Sequence, residues 1–209
     1  MRSILILFIT LLWTPFAFSQ TIKQHEKHTR ADTLRGTIMP ERAWWDLTYY
    51  HLEVKPNPND STLQGSTDVH YRVLKSHQDI QIDLQTPLKI DSVFQDGQSL
   101  NFKRDGNAYF IKLIENQVVG QNKSIKVFYS GKPTLAKNPP WDGGVQWVRD
   151  NQGKNWISTS CQGIGASIWW PCKDHMYDEA DSMQISVTVP EQLYDVSNGK
   201  LKSIVQNQD

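Results

Sequence analysis

The feature that most constrains this chain is a set of short runs in which apolar and polar side chains alternate with a period of two. The runs occupy residues 69–73, 80–84, 125–129 and 185–189. A period of two places successive side chains on opposite faces of a strand, so each run predicts a β-strand with one buried face. No segment has the apolar periodicity of a long amphipathic helix, and this favours an all-β fold.

Turn signals separate these runs. Asp96-Gly97, Asp105-Gly106 and Asn198-Gly199 supply the positive φ angles that tight hairpin turns require. Strands that recur about every ten residues with such turns between them are typical of antiparallel folds. The sequence therefore predicts an antiparallel β-sandwich or a curved, saddle-like sheet.

The first 19 residues have the layout of a secretory signal peptide. Arg2 gives a basic start, residues 4–12 form an apolar run, and Ala17-Phe18-Ser19 has the small-x-small pattern of a cleavage site. The apolar run is short for a membrane span, although an uncleaved membrane anchor is the alternative. We expect residues 1–19 to be a signal peptide and the mature protein to be periplasmic or secreted, with no membrane association after cleavage.

Residues 20–42 are polar and basic, and they lack apolar periodicity apart from Ile38-Met39. This composition predicts a flexible lead-in between the cleavage site and the first strand. The strand pattern starts near Trp44, so residues 43–209 are predicted to form a single β-domain, a length that suits all-β folds.

The charge balance argues against nucleic acid as a partner. The chain has 22 basic and 22 acidic residues, and loss of Arg2 with the signal peptide leaves 21 basic residues. Attraction to a phosphate backbone or to an anionic lipid surface needs a one-sided basic field. We expect no nucleic-acid partner.

Cys161 and Cys172 are the two cysteines of the chain. In an exported protein they can form a disulfide, or they can remain two buried thiols on neighbouring strands. The thiols are favoured because a domain of this size does not need a covalent staple. Two cysteines alone lack the four-ligand spacing of a zinc site.

Tryptophan is concentrated in a stretch of thirty residues that holds Trp141, Trp147, Trp156, Trp169 and Trp170. Such clustering is typical either of a heavy core or of an exposed stacking platform. Core packing is favoured for Trp169 and Trp170. If the other three are coplanar and exposed, the chain is better read as a secreted carbohydrate-binding β-sandwich module.

Motifs of catalysis are missing from the sequence. The chain has no H-E-x-x-H, no G-x-S-x-G, no glycine-rich phosphate loop and no C-x-x-C. The one cluster that mixes histidine with carboxylates is Asp174, His175, Asp178 and Glu179. A solvated acidic loop is commoner than a cation site for such a cluster. We expect no catalytic residue and no metal ligand in this chain.

Residues 159–174 (TSCQGIGASIWWPCKD) resemble a signature of the N-terminal domain of aminopeptidase N-type zinc peptidases. In that family a Gln or Glu precedes a small-residue stretch, an aromatic-Pro-Cys-x-Asp run and a strand that ends in Val-Pro. The matching pieces are Gln162, Trp170-Pro171-Cys172-Lys173-Asp174 and residues 185–190. Other matching pieces bring the resemblance to residues 44–205. One departure is Ser167, at a position where the family usually has Arg.

The resemblance implies a division of labour. In the family a thermolysin-like domain carries the H-E-x-x-H zinc site, and the Gln or Glu of the β-domain helps to hold the free α-amine of the peptide. Gln162 and Gly163 are therefore the expected substrate-binding residues, with a carbonyl acceptor and room for close backbone approach. The alternative for Gln162 is an ordinary polar residue at a strand end.

The same resemblance implies which parts the chain lacks. Zinc and the catalytic domain are expected beyond Asp209, so that the chain stops before the catalytic domain and is inactive by itself. Its expected partners are the N-terminus of a peptide substrate and that downstream domain. A truncated or degenerate gene product without activity is a third interpretation.

Overall fold

The computed structural model describes residues 27–207. The predicted signal peptide lies outside the described residues. Strands make up 43% and helices 8% of the structure, with antiparallel and mixed sheets, so the all-β prediction is confirmed. No helix within residues 27–207 is long and apolar enough to cross a lipid bilayer.

Two short helices precede the strands: α1 (Arg30–Gly36) and α2 (Pro40–Ala43). The strands of the described chain are β1 (Trp45–Asn57), β2 (Thr62–Val73), β3 (Asp79–Asp83), β4 (Lys89–Gln95), β5 (Gln98–Ser99), β6 (Phe102–Asp105), β7 (Ala108–Lys112), β8 (Asn122–Gly131), β9 (Gly144–Arg149), β10 (Asn155–Ser160) and β11 (Ser182–Val187). A single 3₁₀ turn, Ala166–Ile168, lies between β10 and β11. The predicted strands coincide with parts of β2, β3, β8 and β11.

A six-stranded sheet with the order β11-β1-β2-β8-β4-β5 forms the main layer. Its neighbours are antiparallel except for β1 and β11, which run parallel with Tyr49 opposite Ser182. The predicted Asp96-Gly97 turn joins β4 to β5, and both of its residues have positive φ, 49° and 78°. The predicted Asp105-Gly106 pair lies where β6 turns into β7, and there Gly106 has a positive φ of 56°.

The core lies between the main sheet and a three-stranded sheet of order β3-β7-β6. Apolar side chains of the main sheet such as Leu52 and Val69 are fully buried there, as are Ile80 and Ile82 of β3. In β3 the polar residues Gln81 and Asp83 are also buried, so that this strand is covered on both faces. A two-stranded ribbon of β9 and β10 completes the fold.

The N-terminal segment covers the second face of β3. Helix α1 begins with a capping box in which Thr29 and Asp32 satisfy each other's backbone N–H groups. Leu34 is 3% exposed, and Arg42 is fully buried. The structure therefore corrects the expectation of a flexible lead-in over residues 30–42. The expectation failed because the segment is anchored mainly by polar contacts, which apolar periodicity does not register.

Candidate functional site

The proposed substrate-binding residues lie on a turn that follows β10, residues 161–165, here called the Gln162 loop. Gln162 and Gly163 are both exposed. Gly163 and Gly165 have φ angles of 73° and 90°, which side-chain-bearing residues rarely adopt. The side chain of Gln162 has no hydrogen-bond partner among the described residues, whereas its backbone neighbours do.

Three carbonyl groups of the Gln162 loop accept hydrogen bonds, one from within the loop and two from the rest of the protein. The N–H of the loop's last residue donates to Cys161 O at 2.9 Å. Arg35 Nη2 donates to Gly163 O at 3.0 Å. Gln85 Nε2 donates to Ile164 O at 2.7 Å. The backbone on both sides of Gln162 is therefore fixed, while its side-chain amide stays available.

Close packing fixes the loop from two further sides. A Cβ atom on Gly165 would collide with the carboxylate of Asp174, and one on Gly143 would collide with the side chain of Ile164. Asp174 also accepts a hydrogen bond from the Ser167 hydroxyl. Because no side chain fits at these glycines, the loop is in direct contact with the Asp174 carboxylate and with the segment that precedes β9.

The Trp-Pro-Cys-Lys-Asp run is a buried clamp between the Gln162 loop and the core. Cys172 exchanges two backbone hydrogen bonds with Asp83 of β3, at 2.8 and 3.1 Å. Trp170 is 6% exposed and meets the ring of Tyr50 edge-on, with centroids 4.9 Å apart. The prediction that Trp170 packs in the core is confirmed. The run therefore fixes the position of the loop against the core.

Lys173 is buried within this clamp. Its Nζ donates to Trp45 O at 2.7 Å and to Asp178, and it lies 3.7 Å from the centroid of the Trp45 ring. Burial lowers the pKa of Lys173 to about 8, although the Asp178 carboxylate opposes that shift. The carboxylate of Asp178 is thus committed to a structural ion pair.

A second buried ion pair joins the N-terminal segment to the clamp. Arg42 Nη2 lies 2.6 Å from Asp83 Oδ2, and the two side chains are 0% and 8% exposed. The same oxygen accepts the backbone N–H of Asp174 at 3.0 Å. Burial raises the pKa of Asp83, and the Arg42 guanidinium counteracts this effect. Asp83 therefore links α2, β3 and the residue that packs on the Gln162 loop.

The histidine and carboxylate cluster noted in the sequence does not converge on one point. Asp174 accepts from Ser167, Asp178 pairs with Lys173, and the Nε2 atom of His175 lies 3.2 Å from Gly36 O. Residues 27–207 contain no group of three or more His, Cys, Asp or Glu side chains arranged to hold a metal ion. These residues do not fit a zinc site.

A flat sugar-binding platform would require Trp141, Trp147 and Trp156 to be exposed on one face. In the β9–β10 ribbon Trp147 pairs with Ile157 and Trp156 pairs with Val148, and adjacent pairs of a ribbon point to opposite faces. Trp147 packs against the core, whereas Trp156 is 61% exposed and Trp141, in the preceding loop, is 87% exposed. The three indoles do not share one face, as a carbohydrate-stacking platform would require.

Both cysteines are free thiols, and Cys172 is buried while Cys161 is half-buried. Burial raises the pKa of the Cys172 thiol well above its usual value. In the unfolded chain a thiol ionises above about pH 8.5. Stability contributed by the neutral Cys172 thiol is therefore complete below that pH and is lost as the pH rises further.

The direction of the Cys172 pKa shift can be tested through the pH dependence of stability. The wild type is expected to have a larger free energy of unfolding than Cys172→Ala. This difference is expected to decrease by about 1.4 kcal/mol as the pH is raised from 7.5 to 9.5. Urea unfolding under reducing conditions measures it. Cys161→Ala is the control and is expected to change less with pH, because that thiol is only half-buried. If the difference in free energy of unfolding between wild type and Cys172→Ala does not vary with pH, the pKa of the Cys172 thiol is not raised by burial.

The sequence motif pointed to Gln162, Gly163 and Asp174, whose functional role stays a prediction, but nothing in the sequence pointed to Arg35 or Gln85. In each case a side-chain N–H donates to a backbone carbonyl of the Gln162 loop. Arg35 lies 128 residues from its acceptor in the sequence and Gln85 lies 79 residues from its own. Such contacts leave no spacing pattern. No motif or periodic pattern in the sequence includes Gln85, and Arg35 lies in a segment that we expected to be flexible.

Solved structures with a similar fold include proteins named zinc metallopeptidases and a leukotriene A4 hydrolase. A mutant M1 zinc metallopeptidase from Deinococcus radiodurans, bound to a Tyr-Ser-Ala substrate, is 21% identical with a TM-score of 0.67, over 84% of this chain and 40% of its own. Native leukotriene A4 hydrolase from Saccharomyces cerevisiae is 16% identical with a TM-score of 0.55, over 71% of this chain and 24% of its own. At these identities the likeness concerns the fold.

The chain spans about 40% of the length of the Deinococcus radiodurans protein that it matches. No curated protein matches the sequence. The family described as the peptidase M1 N-terminal domain matches residues 47–209, most of the chain. This chain belongs to the peptidase M1 N-terminal domain family.

Proposed function

We propose that this chain is the substrate-recognition and scaffolding domain of an exported zinc aminopeptidase, which removes N-terminal amino acids from peptides. One observation carries the proposal. The Gln162 amide is exposed and has no partner among the described residues, on a loop whose adjacent carbonyls are all held. Family membership supports the peptidase class.

The chemistry of an aminopeptidase fits such an amide. The α-ammonium of a peptide presents three charged N–H donors that need acceptors, whereas an internal peptide bond presents one neutral N–H. The carbonyl oxygen of Gln162 is one acceptor, and the exchange of a carboxylate for a neutral amide weakens the contact by about 1 kcal/mol. A Cβ on Gly163 would meet nothing within 4 Å, so a substrate has room to approach that backbone.

We further propose that a thermolysin-like catalytic domain, in chain beyond residue 209, holds the zinc. Two of the similar solved structures are named zinc metallopeptidases, and residues 27–207 contain no group of side chains arranged to hold a metal ion. Zinc would supply a Lewis acid and an activated water. The role of this chain's residues is to orient the amine of the peptide. The signal-peptide pattern of residues 1–19 supports the proposed export.

The test uses the complete protein. Gln162→Ala is expected to lower kcat/KM for an aminoacyl chromogenic substrate about tenfold, because the ammonium loses one acceptor. Gln162→Glu is expected to retain activity, since a carboxylate accepts the same hydrogen bonds. The assay is steady-state hydrolysis with and without a chelator.

Two controls accompany the assay. Gln152→Ala removes another exposed glutamine, in the turn between β9 and β10, and is expected to leave the kinetics unchanged. Residues 20–209 alone are expected to show no chelator-sensitive hydrolysis. Wild-type kinetics for Gln162→Ala would refute the role of this amide, and zinc-dependent turnover by residues 20–209 would refute the scaffolding role.

A further inference from the structure

The N-terminal segment reaches the Gln162 loop through one side chain. Arg35 of α1 donates from Nη2 to Gly163 O at 3.0 Å, across 128 residues of sequence. Gly163 directly follows Gln162, so the contact acts on the Gly163–Ile164 peptide plane, one peptide beyond the residue proposed to bind substrate. Arg35 lies before residue 47, where the match to the family begins.

The backbone that carries Arg35 is itself fixed at three consecutive carbonyls. Leu34 O accepts from Gln81 Nε2 at 3.2 Å, and Arg35 O accepts from Arg42 Nη1 at 3.0 Å. Gly36 O lies 3.2 Å from the Nε2 atom of His175. Because each contact comes from a different element of the fold, the end of α1 is held firmly and Arg35 starts from a defined position.

We infer that Arg35 is a positioning residue for substrate binding, an inference that rests on the proposed role of Gln162. Its guanidinium fixes the Gly163–Ile164 peptide plane, and this fixes the direction in which Gln162 presents its amide to the α-ammonium. A hydrogen bond from a charged donor to a carbonyl is stronger than a neutral one. Removal of this contact leaves the amide in place but lets the loop sample other orientations.

Arg35 contributes little to the stability of the domain as a whole. Its side chain is exposed and makes one hydrogen bond, to a carbonyl that is also exposed. No carboxylate among the described residues forms an ion pair with it. Exposed polar contacts of this kind have small effects on the free energy of unfolding. A kinetic effect without a stability effect is therefore the signature of the positioning role.

The first experiment compares variants of the complete protein. Arg35→Ala is expected to raise KM for an aminoacyl chromogenic substrate about three- to tenfold with kcat unchanged, as for a contact that acts on binding alone. Arg35→Lys, which retains a cationic donor, is expected to recover part of the loss. Arg30→Ala is the matched control, because Arg30 lies on the same helix but pairs with Asp105. It is expected to leave KM unchanged.

A double-mutant cycle then separates positioning from a general effect. If Arg35 acts through Gln162, Arg35→Ala changes KM by less than about twofold in a Gln162→Ala background. The same KM increase in both backgrounds would overturn the inference, as would an unchanged KM in the single variant. So would parallel losses of kcat and melting temperature. Wild-type kinetics for Gln162→Ala alone would refute the proposed function itself, a result distinct from failure of Arg35 alone.

Discussion

Replacement of Arg42 by methionine is expected to lower the free energy of unfolding by about 3–5 kcal/mol. Arg42 is fully buried with its guanidinium 2.6 Å from the Asp83 carboxylate, which is 8% exposed. Methionine fills much of the same volume but leaves this carboxylate buried without a cation. The variant also loses donors to Arg35 O and Thr37 O, at 3.0 and 3.1 Å. Urea unfolding followed by tryptophan fluorescence at pH 7 measures the difference.

Two further variants test whether the buried, unpaired charge of Asp83 causes the loss of stability in Arg42→Met. Arg30→Met breaks an exposed ion pair with Asp105, whose side chains are 58% and 43% exposed, and is expected to cost at most about 1 kcal/mol. Asp83→Asn combined with Arg42→Met removes both charges and is expected to recover part of the loss. If Arg42→Met and Arg30→Met lower the free energy of unfolding equally, burial of the Arg42–Asp83 pair does not increase its contribution to stability.

The strands were predictable because the signal is local. A half-buried strand alternates apolar and polar residues along itself, and the runs at 69–73 and 125–129 lie within β2 and β8, which are paired neighbours. The Asp96-Gly97 turn was equally visible because positive φ favours few residue types. The parallel pairing of β11 with β1 was not predictable, since it joins Ser182 to Tyr49 across most of the chain.

The N-terminal helices were missed for a different physical reason. Composition arguments count apolar residues, and this segment is held by one buried leucine together with the charged Arg42, whose partner Asp83 lies 41 residues away. An arginine in a polar stretch is normally exposed. Nothing in the sequence indicates that Asp83, on a strand buried on both faces, requires a cation.

The positions of the candidate site were predictable in part, while its function stays a prediction. The motif located Gln162 and Asp174, but it could not say that the carboxylate of Asp174 is the surface against which Gly165 packs. It flagged Ser167 as a departure from the family pattern. Ser167 is 2% exposed and donates to Asp174, so a small side chain is needed at that point. Resemblance supplied the positions, and only the three-dimensional structure supplied the contacts.

The contact between Gly165 and Asp174 gives the second large prediction. Gly165→Ala is expected to lower the free energy of unfolding by about 3 kcal/mol, from backbone strain and overpacking together. The φ and ψ angles of Gly165 are 90° and 161°, a region that is nearly exclusive to glycine. A methyl group there also collides with the Asp174 carboxylate, which must move and lose its bond from Ser167. Urea unfolding of wild type and variant measures the loss.

Gly163→Ala is the matched control, because it shares a positive φ of 73° but has open space where a Cβ would lie. It is expected to cost only about 1–2 kcal/mol, the strain of a left-handed residue. In the complete protein the folded fraction of Gly165→Ala is expected to lose kcat/KM at least as strongly as Gln162→Ala, because the whole loop is displaced. If Gly165→Ala and Gly163→Ala are equally stable, Asp174 does not brace the loop. Gln162 would then be presented by backbone conformation alone.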